Sequence, residues 1–106
     1  VEIISGEEEA VFGYLSLNYN LGSLATHSFG ALDLGGASTQ VTFVPSSALR
    51  DHEFSFYVDG RRHSVYAKSY IGFGQDVVED RLQRALLAAA GDASIVSHPC
   101  HHRGER

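Results

Sequence analysis

The octapeptide Asp-Leu-Gly-Gly-Ala-Ser-Thr-Gln at residues 33–40 constrains the fold of this chain more than any other segment. β-rich runs lie on both sides of its glycines, at residues 31–34 and 39–44, and predict two antiparallel strands joined by a glycine turn. Ser38 and Gln40 are two positions apart, so they share one face of the second strand. We therefore expect a hairpin whose hydroxyl and amide side chains could hydrogen-bond one water molecule.

The glycine bend has the chemistry of a phosphate-binding loop. Gly35 and Gly36 have no Cβ, so backbone N–H groups at the bend can approach an anion closely. Asp33, at the mouth of the hairpin, is placed to hold a hydrated metal ion. A plain hairpin with solvated Ser, Thr and Gln side chains is the structural alternative, because short glycine motifs also occur without a ligand.

Three consecutive carboxylates, Glu7, Glu8 and Glu9, open the first predicted helix, which covers residues 7–21 and stops at Gly22. Acidic side chains in a first turn complement the positive end of the helix dipole. A carboxylate at such a position can also accept a proton from an attacking water. Two interpretations therefore stand, a general base and simple compensation of the dipole.

The rest of the pattern adds a strand, a second hairpin and a second helix. Residues 53–58 and 63–70 predict the hairpin, because Asp59-Gly60 between them is a strong turn dipeptide. Residues 1–4 predict a buried strand. Residues 75–90 predict a helix capped by Gly91, and residues 97–106 show no periodicity.

This order of elements predicts an α+β fold. It suits one partial lobe of an actin-like (ribonuclease-H-like) domain, with an antiparallel, hairpin-rich sheet and two helices, although periodicity alone does not select that topology. We assign residues 1–97 to this lobe and residues 98–106 to an irregular polar tail.

Composition narrows the class of function. Thirteen acidic residues against eight Lys and Arg give a formal charge of −5, which argues against a nucleic-acid surface. An acidic protein that handles phosphates usually recruits a divalent cation, so metal dependence is expected. No apolar run reaches the ~20 residues of a transmembrane helix. Because the chain has no Met and no secretory signal at its start, we expect an internal segment of a longer protein.

Several segments in succession resemble the ecto-nucleoside triphosphate diphosphohydrolases, or apyrases. Residues 4–14 and 18–22 resemble the third conserved region of that family, and residues 29–43 are similar to the fourth. The segments Val-Tyr-Ala-Lys-Ser-Tyr, Gly-Phe-Gly-Gln-Asp and His-Pro-Cys follow in the family's order, at residues 65–70, 72–76 and 98–100. The family usually has Gly at the position of Ala10 and Trp at that of Tyr14.

The resemblance implies hydrolysis of the terminal phosphate of nucleoside tri- and diphosphates by in-line attack of water, without a covalent intermediate. It implies that Glu9 is the catalytic base and that Ser38 and Gln40 position the water. Asp33 would hold Ca²⁺ or Mg²⁺ through water. The phosphate would be bound by Gly35, Gly36, Ala37 and Ser38.

The resemblance also implies a location and a context for the chain. The substrates would be nucleoside di- and triphosphates, met on the extracellular or lumenal side of the secretory pathway, with membrane anchoring only through segments outside this chain. Phosphate clamps need donors on both sides, and the family's first phosphate-binding loop lies outside these residues. The isolated segment is therefore expected to be inactive.

The single cysteine, Cys100, has two interpretations. The resemblance implies a disulfide with a cysteine beyond this segment, in an oxidising compartment. The alternative is a zinc cluster of Cys100, His98, His101 and His102, whose spacing is tight for the usual ligand pairs.

Two other functions compete with the apyrase interpretation. Another actin-like phosphate enzyme, such as an exopolyphosphatase or a sugar kinase, also uses an acid and glycines in a hairpin, but the Glu run at residues 7–9 fits it poorly. A non-catalytic truncated product is the second competitor.

Overall fold

The computed structural model describes residues 2–25, 28–92 and 96–100. Six elements of secondary structure follow one another within them. They are α1 (Gly6–Asn20), β1 (Ala31–Leu34), β2 (Ser38–Phe43), β3 (Glu53–Val58), β4 (Arg61–Ile71) and α2 (Gln75–Ala90). This set confirms the predicted α+β class with two helices and two hairpins.

The four strands form one antiparallel sheet in the order β1-β2-β4-β3. The two hairpins therefore lie side by side, and β2 and β4 form the centre. The turn between β3 and β4 has positive φ at both of its residues, 48° at Asp59 and 73° at Gly60. Such a turn matches the right-handed twist of a two-stranded hairpin, as the Asp-Gly dipeptide predicted.

The core lies between α1 and one face of the sheet. It consists of Ala10, Val11, Tyr14, Val65 and Ala67. The ring of Tyr14 meets Phe56 edge-on, with 6.4 Å between the centroids. Burying a large apolar side chain contributes about 1.5–3 kcal/mol, so this small cluster is what fixes the helix against the sheet. The Thr42 hydroxyl adds a buried hydrogen bond of 3.0 Å to the Ala10 carbonyl oxygen.

The alternation predicted for β3 is confirmed. Its even-numbered positions, 54, 56 and 58, are half-buried on the core side, and the odd-numbered positions are exposed. Period-two burial of this kind is what a strand with one covered face requires.

A buried amide ties the end of α1 to the start of β1. Asn18 is fully buried, and its Nδ2 donates to the carbonyl oxygens of Tyr14 and Phe29, both at 2.9 Å. Its Oδ1 accepts from the Phe29 N–H and the Ser23 hydroxyl, both at 2.7 Å. All donors and acceptors of this buried group are thereby used, and the chain that leads to β1 is held at one place on the helix.

The second helix is confirmed at its predicted residues, with Gly91 at its C-terminal cap at φ 58°. None of its residues is fully buried, and Val78 and Leu87 on it are exposed. At its N-terminus, backbone N–H groups of α2 donate to the carbonyl oxygens of the bend between β1 and β2. No helix among residues 2–25, 28–92 and 96–100 is both long enough and apolar enough to cross a membrane.

The strand predicted at residues 1–4 is wrong for residues 2–4, which have no regular secondary structure. Ile3 is 96% exposed. A strand requires hydrogen bonds from a neighbour, and the described sheet has none beside these residues. Val1 lies outside the described residues, as do residues 101–106 of the predicted tail; residues 97–100 contain no helix or strand.

The face of the sheet opposite α1 is aromatic. Phe43 and Tyr66 stack at 4.9 Å, and the Tyr66 and Tyr70 hydroxyls lie 3.4 Å apart. The hydrogen bond to Tyr70, and then burial, raise the pKa of Tyr66 above its usual 10.0. The Lys68 ammonium contacts the His52 ring nitrogen Nε2 at 2.8 Å on this face. These groups are separated by the sheet from the residues that the motifs single out.

Candidate active site

At the start of α1, the side chains of Glu8 and Glu9 make different contacts. Ser5 caps the helix, accepting at Oγ from the Glu8 N–H at 3.1 Å, and the Glu8 carboxylate accepts from the Ser5 N–H at 2.7 Å. This reciprocal capping box uses Glu8 to close the helix end. The side chain of Glu9 extends instead toward the sheet.

The bend between β1 and β2 is attached to the N-terminus of α2. The carbonyl oxygens of Gly35 and Gly36 accept from the N–H groups of Gln75 and Asp76, at 2.9 and 3.0 Å. The Ala37 carbonyl accepts from the Gly72 N–H at 2.8 Å. The bend thus satisfies the first free amides of α2, which has no side-chain cap. Its carbonyls are turned toward the helix, and this leaves its amides to face elsewhere.

The amides of the bend are not equivalent. The Gly35 N–H donates to the Ser38 carbonyl oxygen at 2.9 Å and closes the turn. Within the described part of the chain, the N–H groups of Gly36 and Ala37 have no backbone partner outside regular secondary structure. Gly35 therefore shapes the bend, and Gly36 and Ala37 are the positions at which an anion would find free donors.

Two glycines around the bend pack closely on other groups. A Cβ at Gly36 would lie 2.5 Å from Asp76 Oδ2, and a Cβ at Gly74 would lie 2.4 Å from the Gly36 carbonyl. Real Cβ atoms do not approach other atoms so closely. The Asp76 carboxylate can rotate away from Gly36, but the backbone that faces Gly74 cannot, so the absence of a side chain at Gly74 is what allows the bend to lie on the helix start.

The structure brings three of the predicted catalytic residues together. Gln40 Nε2 donates to Glu9 Oε2 at 3.0 Å and lies 2.8 Å from Ser38 Oγ. Ser38 and Gln40 share a face of β2, as their spacing predicted, and that face is the one that α1 covers. Gln40 is only 3% exposed, whereas Glu9 is exposed. A buried amide and a solvent-reaching carboxylate therefore meet beside the bend.

The orientation of the Gln40 amide follows from charge. The carboxylate of Glu9 attracts the N–H end of the amide and repels its oxygen. The amide therefore turns its Nε2 toward Glu9, and no hydrogen bond within the described residues uses its Oε1. The polar groups at this point form a water-accessible cluster with one acid, one amide and hydroxyls.

Asp33 lies on the same side of the sheet. It is the cross-strand partner of Gln40 in the β1–β2 ladder, and directly opposed residues of an antiparallel pair point to one face. Its side chain is exposed. Among the described residues there is no group of three or more His, Cys, Asp or Glu side chains that could hold a metal ion. Asp33 is thus one carboxylate near the cluster, with room around it for solvent.

Comparison with known proteins identifies the family. Residues 1–106 match the GDA1/CD39 (nucleoside phosphatase) family along their whole length. The chain belongs to this family. The predicted actin-like lobe is consistent with this membership.

Three relatives illustrate the similarity. Ectonucleoside triphosphate diphosphohydrolase 8 of Bos taurus is 39% identical over 120 residues, which are 99% of this chain and 24% of the relative. The protein of that name from Rattus norvegicus is 40% identical over 116 residues, 96% of this chain and 23% of the relative. Probable apyrase 5 of Arabidopsis thaliana is 39% identical over 111 residues, which are 96% of this chain and 22% of the relative. The chain spans about a quarter of the length of these relatives.

Sequence reasoning missed three residues at this site. Ser69 on β4 lies 3.1 Å from Gln40 Nε2. Gly6 packs against Ser69, and Asp76 packs against Gly36. All three lie inside segments that carried the family resemblance, but nothing in their local sequence connects them with Gln40. For Ser69, the register of β2 against β4 supplies that connection.

In the described part of the polar tail, Cys100 lies beside His98. Cys100 is an exposed free thiol, and its backbone N–H donates to His98 Nδ1 at 3.2 Å. The zinc alternative also requires His101 and His102, which lie outside the described residues. The disulfide to a cysteine beyond this chain and the zinc cluster both stay predictions.

Proposed function

We propose that this chain supplies one side of the active site of a nucleotide phosphohydrolase that removes terminal phosphates from nucleoside tri- and diphosphates. The observation that carries the proposal is the contact of Gln40 Nε2 with both Glu9 and Ser38, at 3.0 and 2.8 Å, beside a bend with free amides. Membership of the GDA1/CD39 (nucleoside phosphatase) family supports the choice of substrate class. The names of the relatives point to the same class of reaction.

The proposed reaction requires a water molecule between Glu9 and the bend. Glu9 accepts one proton of this water at its carboxylate, while Ser38 and the amide of Gln40 orient its lone pair. The water oxygen forms a bond to the terminal phosphorus, and the bond from phosphorus to the bridging oxygen breaks in line. That oxygen leaves with the nucleotide, and the products are inorganic phosphate and the shortened nucleotide.

The bend would stabilise the charge that develops on the phosphate. Donors that are already oriented toward a transition state need no reorganisation during the reaction. The N–H groups of Gly36 and Ala37 are suited to this task, because α2 holds the neighbouring carbonyls in place. Gly35 acts through the shape of the turn, and the Ser38 hydroxyl completes the set.

A divalent cation, Ca²⁺ or Mg²⁺, could bind to Asp33 through water molecules. Mg²⁺ usually binds through one or two carboxylates, several waters and the phosphates of the substrate, and Ca²⁺ also takes oxygen ligands of these kinds. Asp33 is an exposed carboxylate with room for water. When bound, the cation would neutralise phosphate charge. Asp33 would hold it through water, and every other group named here acts on the water or the phosphate directly.

The remaining donors of a phosphate clamp would come from polypeptide that this chain does not contain. We use the term full-length parent for a protein of the relatives' length that includes this chain. The parent is proposed to work on the extracellular or lumenal side of the secretory pathway, as the prefix of the relatives' names suggests. The isolated chain is proposed to be inactive.

The test is phosphate release by the full-length parent. ATP and ADP are expected to be hydrolysed in the presence of Mg²⁺ or Ca²⁺, and EDTA is expected to stop the reaction until the cation is restored. Inorganic polyphosphate is the matched substrate without a nucleoside. Release from polyphosphate with none from ATP or ADP would contradict the proposal and would favour an exopolyphosphatase.

A further inference from the structure

Ser69 belongs to the polar cluster of Glu9, Ser38 and Gln40 but comes from a strand that carries none of the residues assigned above. Gln40 and Ser69 are directly opposed in the β2–β4 ladder, so both side chains point to the face that α1 covers. Ser69 Oγ lies 3.1 Å from Gln40 Nε2. Lys68 and Tyr70, its neighbours on β4, point to the opposite face and contact other groups.

Gln40 Nε2 has more hydrogen-bond acceptors within reach than it has hydrogens, and Ser69 is one of these acceptors. Gln40 Nε2 carries two hydrogens and has three acceptors within reach, on Glu9, Ser38 and Ser69. A carboxylate is the strongest acceptor of the three, so Glu9 takes one hydrogen. The second hydrogen lies between two hydroxyl oxygens, at 2.8 Å for Ser38 and 3.1 Å for Ser69. Ser69 can therefore hold the amide when the Ser38 hydroxyl turns to a water.

The position of Ser69 is fixed from the other side by Gly6. A Cβ at Gly6 would lie 2.4 Å from Ser69 Cβ and 2.5 Å from Ser69 Oγ. The first residue of α1 therefore packs directly on the serine. The same contact sets the distance between the helix start, which carries Glu9, and the centre of the sheet, which carries Gln40.

We propose that Ser69 is a positioning residue for the hydrolysis. Its hydroxyl accepts from Gln40 Nε2 and keeps the amide turned, with its nitrogen toward Glu9 and its oxygen toward the attacking water. Ser69 acts through Gln40 and does not touch the substrate. This inference rests on the proposed function and adds a residue to it.

The first test is Ser69→Ala in the full-length parent. The kcat for ATP is expected to fall about 3- to 10-fold, the factor for one neutral hydrogen bond, with little change in KM because the contact orients the water and not the nucleotide. The matched control is Ser64→Ala. Ser64 lies on the same strand, faces the other side of the sheet and bonds to Glu53, so its loss should leave kcat unchanged.

A double-mutant cycle separates positioning from general weakening of the fold. If Ser69 acts through Gln40, then Ser69→Ala causes no further loss of kcat in a Gln40→Ala background. Should Ser69→Ala fail to fold, Ser69→Cys replaces it, since sulfur is a weak acceptor of similar size.

The outcomes distinguish this inference from the proposed function. Wild-type kcat in Ser69→Ala or a further loss in the Gln40→Ala background would each overturn the role of Ser69. Glu9→Gln is measured beside them. If Glu9→Gln loses turnover while Ser69→Ala does not, only the inference fails; if Glu9→Gln keeps turnover, the proposed function itself fails.

Discussion

The side-chain amide of Gln40 lies 3.0 Å from the carboxylate of Glu9, although 31 residues separate them in the chain. Glu9 is in the first turns of α1, and Gln40 is on β2, directly after the glycine bend. Their contact joins a helix start to a phosphate-binding turn. The contact brings two motifs into one cluster. Taken alone, the glutamate run could serve only the helix dipole, and the glycine motif could be a plain hairpin.

Removal of the Asp33 charge should weaken the binding of the divalent cation. Asp33→Asn keeps the size of the side chain but loses its charge, and loss of an outer-shell partner typically costs roughly 10- to 100-fold in metal affinity. The Mg²⁺ or Ca²⁺ concentration that gives half-maximal phosphate release from ATP should rise by that factor. Titration of the cation at saturating ATP in the full-length parent measures it.

The control for Asp33 is Asp59→Asn. Asp59 is an exposed carboxylate in the turn of the other hairpin, and Asn-Gly suits that turn equally well. Asp59→Asn should leave the cation concentration that gives half-maximal phosphate release unchanged. An unchanged requirement in Asp33→Asn as well would show that this carboxylate does not serve the metal.

The elements of this fold were largely predictable from local pattern. The Asp59-Gly60 dipeptide, the period of β3 and the Gly91 cap are each determined by residues close in sequence, and the structure confirms them. The spacing of Ser38 and Gln40 likewise fixed their common face. Local chemistry was sufficient at these points because the hydrogen bonds concerned span only a few residues.

The predictions that failed or were missing concern long-range pairing. An apolar run at residues 1–4 is compatible with a strand, but a strand forms only where a neighbour supplies hydrogen bonds. The contribution of Ser69 depends on the register of β2 against β4, which places it opposite Gln40 from 29 residues away. Neither fact is encoded in a short window of the sequence.

The buried amide of Asn18 should be essential for stability. Asn18→Ala leaves the Phe29 N–H and the Phe29 carbonyl without their side-chain partner, and the Ser23 hydroxyl keeps only its longer contact, 3.3 Å, with the backbone carbonyl of residue 18. Unsatisfied buried groups are costly, so the free energy of unfolding should fall by about 2–4 kcal/mol. Urea unfolding of the full-length parent, followed by circular dichroism, measures the change.

Asn20→Ala provides the comparison for Asn18. Asn20 is exposed on the same helix and makes one hydrogen bond, to the Ser16 carbonyl at 2.8 Å. Its loss should change the free energy of unfolding by no more than about 0.5 kcal/mol. Equal effects of the two substitutions would contradict the account of the Asn18 network.

A methyl group at Gly74 should displace the phosphate-binding bend. The Cβ of Gly74→Ala would lie 2.4 Å from backbone atoms of Gly36 and 2.5 Å from the carbonyl carbon of Ala37. Backbone cannot rotate away as a side chain can, so we expect a loss of about 1–3 kcal/mol in unfolding free energy. Phosphate release should fall together with stability, because the amides of the bend move.

Gly13→Ala is the matched glycine substitution. Gly13 lies within α1, and its Cβ would meet nothing within 4 Å among the described residues. Alanine in a helix interior is favoured over glycine by roughly 0.5–1 kcal/mol, so this variant should be more stable and equally active. A Gly74→Ala variant that behaves like Gly13→Ala would show that the bend does not rest on the start of α2.

The most direct measurement is the turnover of Glu9→Gln against that of Glu7→Gln in the full-length parent, at saturating ATP and divalent cation. Both substitutions remove one charge from the first turns of the same helix, but only Glu9 contacts Gln40. We expect Glu9→Gln to lower kcat at least ~100-fold with little effect on nucleotide affinity, and Glu7→Gln to stay within about threefold of the wild type. Equal and near-normal turnover in the two variants would contradict the assignment of Glu9 as the base.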